Sequence, residues 1–132
     1  NTEFSKKHGF VGREKDFDPN SIGTYNPYFA LDSDLAQLNQ LLKFVKFGFG
    51  QCMDHVCYDI RDGKMTRKDA IEMVFKYDGK CSEKYIKKFC DYINITIEDF
   101  QKTAEKFRGD VWSKDKAGCL QNNVWLELEK IQ

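Results

Sequence analysis

Gly48 and Gly50, on either side of Phe49, are the first residues whose type and spacing could do chemistry. They stand in the run KFVKFGFGQCMDHVCYDIRDGKM, residues 43–65, between two stretches with helical spacing. A phosphate loop of the GxGxxG type needs a third glycine where Met53 stands, and no strand pattern precedes it. Glycine tolerates positive φ, so the local pattern favours a joint between helices. A helix that begins there would also present free backbone N–H groups, which can hold an anion.

Arg61 and Arg67 flank the turn at Gly63 and form a second candidate. Two guanidinium groups this close in sequence could hold a carboxylate or a phosphate between them. Surface salt bridges are the alternative, because exposed arginines commonly make them. The local residues leave both interpretations open.

Metal ligands have little support in the sequence. Cys52, His55 and Cys57 point in different directions around a helix that turns by about 100° per residue, and no second pair of ligands lies near them in sequence. The segment DIRDGKMTRKDAIE resembles a calcium loop, but most of the oxygen ligands of such a loop are missing. The sequence therefore predicts no metal site.

Composition argues against several classes of partner. Twenty-one basic residues balance 21 acidic ones, so no net charge attracts the chain to nucleic acid or to an anionic membrane. The longest apolar runs are far shorter than the roughly 20 residues of a membrane span, and we expect no leader. Five cysteines, an odd number, are more typical of reduced thiols in a cytoplasmic protein than of a disulfide framework.

The elements that must position these residues are predicted to be five short helices. Each segment combines a capping residue, apolar residues at spacings of three and four, and a glycine or asparagine stop. The first helix starts from Asp32 or Ser33, and the second starts at Gly50. Three further helices are capped by Thr66, Ser82 and Thr96, the first of them with Asp69 as the acid of a capping box. The stops fall at Gly48, Gly63, Gly79, Asn94 and Gly109.

These helices predict an all-α fold, a compact bundle over residues 32–132. Residues 1–31 contain both prolines and many turn formers, and they predict a loop-rich segment that precedes the bundle. The tail from Asp110 carries Trp112 and Trp125 and is expected to pack back on the bundle, in a form that the pattern does not define.

A wider combination of motifs resembles a known family. The runs SIGTYNPYFALDSDLAQLNQLLKFVKFGFG, KFGFGQCMDHVCYDIRDGKMTRKDAIEMVFKYDGK, YIKKFCDYINIT and DFQKTAEKFR closely resemble the C-terminal region of the N-acetyl sugar amidotransferase family. Its members act in pseudaminic acid, O-antigen and legionaminic-type sugar biosynthesis. The resemblance covers about residues 20 to 112, and the combination of KFGFG, the turn that ends in MTR, and KYDG is far more specific than any one short motif.

The resemblance implies an ATP-using enzyme of the PP-loop class, in which the acetamido oxygen of a bacterial surface sugar is activated and ammonia replaces it to give an acetamidino group. It further implies ATP and Mg as cofactors of the full-length enzyme, a glutaminase that supplies ammonia, and a nucleotide-linked or acidic amino sugar as substrate. Copies of the chain are expected to associate. This chain has no SGGxDS loop and no paired cysteines of the ribbon type, so we expect the ATP site to lie in an upstream PP-loop domain.

Motif position and side-chain chemistry together suggest substrate-binding residues, although no catalytic residue is assigned. Lysine and arginine side chains there would meet a phosphate or a sugar carboxylate, and the two glycines would let the backbone approach the ligand. Many relatives have arginine after KFGFG where this chain has Gln51, which weakens an anion contact at that position. The competing hypothesis is a free-standing helical interaction module without catalysis. The predicted substrate-binding set is Tyr25, Lys46, Gly48, Gly50, Asp54, Arg61 and Arg67.

Overall fold

The computed structural model describes residues 2–13 and 15–131, which are mainly helical. The predicted all-α fold is confirmed, and the five predicted helices are α3 to α7 in chain order. Additional short elements lie at both ends of the described chain. The elements are α1 Thr2–Lys7, α2 Pro19–Ile22, α3 Leu35–Phe47, α4 Gln51–Arg61, α5 Arg67–Tyr77, α6 Glu83–Ile93, α7 Ile97–Lys106, β1 Trp112–Lys114, β2 Leu120–Asn122 and α8 Asn123–Glu129.

Local capping explains where α5 and α7 begin. The Thr66 Oγ1 accepts a hydrogen bond from the Asp69 backbone N–H at 3.2 Å, and its hydroxyl donates to the Asp69 carboxylate at 2.6 Å. Thr96 and Asp99 repeat the arrangement at 3.0 and 2.7 Å. Each cap satisfies a backbone donor that the first turn would otherwise leave unpaired. Both predicted caps are confirmed, and so is the left-handed conformation of Asn94 after α6, with φ of 57°.

Three predicted helix ends need correction. The predicted caps of α3, Asp32 and Ser33, are wrong: Asp34 precedes the helix and makes no side-chain cap, because its carboxylate pairs with Lys88 at 2.6 Å. Ser82 does precede α6, but its hydroxyl accepts no backbone hydrogen bond. The last of the five predicted helices, α7, ends at Lys106, short of Gly109. A Cβ at Gly109 would overlap the carbonyl of Lys46, so that glycine serves a close chain crossing.

Two apolar clusters form the core. One joins α4 to α5 through Cys52, Val56, Ala70, Val74 and Tyr77, and residues of α8 pack against it. The other joins α3, α6 and α7 through Leu38, Cys90 and Phe100. The α3–α4 joint is therefore the connection between two separately packed groups of helices.

The tail folds back on this joint. Strands β1 and β2 pair antiparallel, with Trp112 opposite Asn122 and Lys114 opposite Leu120. Asp115 Oδ1 accepts from the backbone N–H groups of Ala117 and Cys119 at 2.9 and 2.8 Å, which closes the turn between the strands. The hairpin then leads directly into α8.

Residues 1–31 contain α1 and α2 in addition to loops. The segment is tied to the bundle through the Ser82 N–H, which donates to the Ser21 carbonyl at 2.9 Å. The division into residues 1–31 and 32–132 stays a prediction, and Asn1, Glu14 and Gln132, which it includes, lie outside the described residues. Among the residues that the structure does describe, no helix has the length and apolar character needed to cross a membrane.

Candidate functional site

Gly48 ends α3 in a left-handed conformation, with φ of 76° and ψ of 5°. Its N–H donates to the Phe44 carbonyl at 2.8 Å, and its own carbonyl accepts a buried hydrogen bond from Asn122 Nδ2 at 2.7 Å. A Cβ at this position would lie 2.8 Å from Asn122 Oδ1. The first glycine of GFG therefore gives α3 its stop and leaves space for the tail to dock.

Gly50 is the residue immediately before α4, and it contacts the buried side chain of Asp78. Asp78 is the residue immediately after α5. The Asp78 carboxylate accepts from the backbone N–H groups of Gly50, Cys52 and Met53 at 2.7, 3.0 and 3.4 Å. A Cβ on Gly50 would lie 2.9 Å from Asp78 Oδ1. The anion that these N–H groups hold is thus a carboxylate of the chain itself.

Asp78 has an unusual environment for a carboxylate. Burial raises its pKa from 3.8 to about 6, although the backbone hydrogen bonds and the charge of Lys43 favour the ionised form. The backbone N–H groups of Gly50, Cys52 and Met53 therefore already have an acceptor within the chain. No cluster of three or more potential metal ligands occurs in the part of the chain that the structure describes.

A polar stripe runs along the face of α4 that meets the GTY segment, residues 23–25. We call Gln51, His55 and Asp59 the α4 stripe; their spacing of four residues places them on one helix face. Tyr25 donates its hydroxyl proton to Asp59 Oδ2 at 2.5 Å. The Thr24 Oγ1 lies 2.6 Å from His55 Nδ1. GTY is therefore fastened to α4 at two points.

The proton position on His55 follows from its neighbours. In the orientation assigned to the Gln51 amide, Nε2 can only donate and lies 3.0 Å from His55 Nε2, so this orientation makes that ring nitrogen an acceptor and puts the proton on Nδ1. His55 Nδ1 then donates to Thr24, which is fully buried. Burial lowers the pKa of His55 below 6.5, which favours the neutral ring. With both nitrogens engaged, the imidazole positions the GTY segment and has no free nitrogen to act as a base.

The phenol of Tyr25 is equally constrained. Burial and the hydrogen bond to Asp59 raise its pKa well above the usual value of 10.0. The ring also packs edge-on against His55, with centroids 6.2 Å apart, and Phe29 approaches the same imidazole at 5.7 Å. Tyr25 therefore stays protonated and serves as a hydrogen-bond donor.

Asp54, another predicted site residue, is held by a cation from α3. Lys43 Nζ lies 2.5 Å from Asp54 Oδ2 and 4.7 Å from the centroid of the Phe49 ring. One lysine thus spans the joint, contacting the residue between the two glycines and a carboxylate in the first turn of α4. The pair is partly buried, which reduces its screening by solvent.

The remaining predicted site residues lie at the surface. Lys46 stands over the Phe47 ring at 5.3 Å and borders an apolar groove between α3, α6 and α7. Arg61 and Arg67 are exposed on the two sides of the α4–α5 turn, and no described carboxylate forms an ion pair with either. The structure therefore brings Tyr25 to α4 and both glycines to the joint. The substrate-binding assignment of the seven residues stays a prediction.

Several residues at the site escape the sequence reasoning. The four-residue spacing of the α4 stripe is visible in the sequence. The metal-site argument, however, considers His55 only together with Cys52 and Cys57. Asp78 lies in the KYDG motif, yet nothing local indicates that it contacts a helix start 28 residues earlier. Thr24 and Asn122 likewise act through distant partners.

Comparison with known proteins places these motifs in one family. A family model described as the C-terminal domain of WbpG-like LPS biosynthesis proteins matches residues 20–126, most of the chain. The matched stretch includes the GTY segment, the joint, the α4 stripe and the hairpin. No curated protein matches the chain.

Proposed function

We propose a catalytic context for this chain on one premise: the chain belongs to the family of WbpG-like C-terminal domains of LPS biosynthesis proteins. In this proposal it is the C-terminal helical part of an ATP-dependent N-acetyl sugar amidotransferase. The product would enter a bacterial surface glycan such as lipopolysaccharide O-antigen or a pseudaminic acid glycan. An upstream PP-loop domain would hold ATP and Mg, and a glutaminase would supply ammonia.

The proposed reaction exchanges one oxygen for nitrogen. The acetamido oxygen of the sugar attacks the α-phosphorus of ATP, and pyrophosphate leaves. Ammonia then adds to the activated carbon, and AMP departs with the former amide oxygen, which leaves an acetamidino group. Activation turns a poor leaving group into a good one, so ammonia can act as the nucleophile.

The observation that carries the proposal is the connection of GTY, GFG and KYDG into one unit. Tyr25 and Thr24 of GTY are bonded to the α4 stripe, and Asp78 of KYDG caps the helix that GFG introduces. Sequence-distant motifs of the matched stretch therefore all attach to α4, with Asp78 at its start and Tyr25 near its other end. Such a shared, rigid platform supports a role in positioning a ligand for a neighbouring catalytic domain.

The occupied N-terminus of α4, at the GFG joint, also supports an ATP site on another domain. Its helix N-terminus is already occupied by the carboxylate of Asp78, at 2.7 Å from the Gly50 nitrogen. In this proposal the chain contributes to holding the sugar and to keeping water from the reacting group, and nucleotide activation takes place on the PP-loop domain.

The test compares this chain with the longer protein expected to contain it. Each is incubated with ATP, isotopically labelled ammonium and a set of nucleotide-linked and acidic acetamido sugars, and label in the sugar is followed by mass spectrometry. We expect label and AMP from the longer protein and neither from this chain. Labelled sugar from this chain alone would contradict the placement of the ATP site, and no label from the longer protein with any sugar would contradict the amidotransferase proposal.

A second candidate function is a helical interaction module that binds a second copy of the chain. The observation in its favour is the groove between α3, α6 and α7, where Leu42, Ile93 and Phe107 are 37%, 43% and 68% exposed. Equal numbers of basic and acidic residues leave little charge repulsion between copies. Sedimentation of the wild type and of Phe107→Ser tests it: a dimer that the substitution dissociates supports the module, and a monomer at all concentrations contradicts it.

A further inference from the structure

A second polar cluster lies away from α4, where the chain around Arg13 meets α6. A cleft of about 610 Å³ opens there, and its charged and hydroxyl-bearing residues are Arg13, Asp34, Lys84, Tyr85 and Lys88. Its volume lies in the range of small-molecule sites, about 300 to 1,000 Å³. No residue of the predicted substrate-binding set lines it.

Arg13 is fixed in this cleft by neutral partners. One terminal nitrogen donates to the Ala30 carbonyl at 2.6 Å, and the other donates to the Tyr85 hydroxyl at 3.3 Å. The guanidinium has five N–H donors, so these two bonds leave others available. Arg13 is thereby oriented by two uncharged partners.

The backbone of Ala30 is strained where it holds Arg13. Its φ is 48°, a left-handed backbone conformation that residues other than glycine rarely adopt. Such strain tends to occur at functional positions. The strained residue contributes the carbonyl that accepts from the arginine.

Lys84 adds a second cation beside the same tyrosine. Its ammonium stands 4.8 Å from the centroid of the Tyr85 ring, and Tyr85 itself is only 6% exposed. The carboxylate of Asp34 is paired with Lys88 at 2.6 Å. No described carboxylate lies within ion-pair distance of Arg13 or Lys84, although the charges of both help to lower the pKa of Asp34. The described lining of the cleft therefore carries three cations and one carboxylate.

We propose that this cleft binds a small ligand through an oxyanion, either a phosphate or a carboxylate, with Arg13 and Lys84 as the two cationic contacts. A guanidinium with free donors matches the planar edge of a carboxylate or two oxygens of a phosphate. Lys84 supplies a point charge over the ring of Tyr85. The site does not depend on the amidotransferase proposal.

Calorimetric titration of this chain with inorganic diphosphate and with N-acetylneuraminate tests the site, and uncharged N-acetylglucosamine serves as the reference. We expect saturable binding of at least one oxyanion, weakened about tenfold by Lys84→Gln and by Arg13→Gln. The anion that binds tighter assigns the ligand as a phosphate or as an acidic sugar. If neither binds more tightly than the uncharged sugar, the proposal is overturned.

Lys76→Gln is the matched control. Lys76 also stands over a tyrosine, with its Nζ 5.0 Å from the Tyr77 centroid, but it is not among the cleft residues. Equal weakening by Lys76→Gln and Lys84→Gln would mean nonspecific attraction and would overturn the proposal. Should Arg13→Gln unfold the chain, Lys84→Gln and Arg13→Lys still decide, since Arg13→Lys keeps the charge and loses the fork of donors.

Discussion

Asp78 Oδ2 accepts a buried hydrogen bond from the backbone N–H of Gly50 at 2.7 Å, across 28 residues of sequence. The bond joins the end of α5 to the start of α4. It also explains why the second glycine of GFG has no side chain, since a Cβ there would meet the Asp78 carboxylate.

Replacing Asp78 by alanine should destabilise the fold by about 3 kcal/mol, because three buried backbone donors lose their acceptor. Urea unfolding followed by circular dichroism measures the loss. Asp62→Ala is the control: Asp62 is exposed, pairs only with Lys64 among the described residues, and should change stability little. Equal effects of the two substitutions would contradict the capping role.

The stability should also depend on pH through Asp78. Its pKa is about 6 in the folded chain and 3.8 as the ordinary value, so between these pH values the folded state binds more protons than the unfolded state. Its contribution is therefore complete below about pH 4 and is lost as pH rises to about 6, by up to about 3 kcal/mol. Unfolding of the wild type and of Asp78→Asn across this range isolates the effect, and parallel pH profiles would refute it.

Gly48→Ala should cost more stability than Gly63→Ala. Both glycines have positive φ, 76° and 67°, but a Cβ at Gly63 meets nothing within 4 Å, whereas at Gly48 it meets Asn122. The left-handed conformation alone costs about 1 kcal/mol. We expect Gly63→Ala to lose that amount and Gly48→Ala about twice as much in chemical unfolding. Equal losses in the two variants would contradict this prediction, because they would show that Asn122 makes room for the new Cβ without any loss of stability.

Tyr25→Phe should destabilise the chain by about 2 kcal/mol, since the hydroxyl donates to the charged Asp59 at 2.5 Å. Tyr58→Phe provides the comparison, because Tyr58 precedes Asp59 in α4 and is 61% exposed. Thermal unfolding of both variants gives the difference. If Tyr25→Phe melts with the wild type, GTY is not fastened to α4 through this bond.

Arg61→Ala and Arg67→Ala should leave the stability almost unchanged, because both side chains are exposed and no described carboxylate pairs with them. If they meet the sugar as predicted, kcat/KM of the longer enzyme should fall at least about tenfold in each variant. Lys68→Ala, also exposed at the start of α5, is the control. Unchanged kinetics in both arginine variants would remove them from the site.

The five central helices were predictable because their signals are local. The pairs Thr66–Asp69 and Thr96–Asp99 lie within one turn, and Asn94 needs no distant partner to end α6. The predicted caps of α3, Asp32 and Ser33, were wrong. The residue that precedes the helix is Asp34, whose carboxylate pairs with Lys88, 54 residues away, instead of capping the helix.

The hairpin and the site depend on contacts that local patterns do not contain. Strands of three residues have almost no periodicity to read, and β2 is defined by its pairing with β1. The α4 stripe could be read from its spacing, but its partners Thr24 and Tyr25 could not, because they precede it by about thirty residues. Only the wider resemblance connected GTY to GFG.

The bond from Asn122 to the Gly48 carbonyl implies an order of events during synthesis. It spans 74 residues, so the helix joint stays incomplete until Asn122 has left the ribosome. Before then, α3 and α4 can form as separate helices, while the turn between them lacks the partner that occupies its inner side. The turn between α3 and α4 is thus completed by a residue that is synthesised 74 positions later.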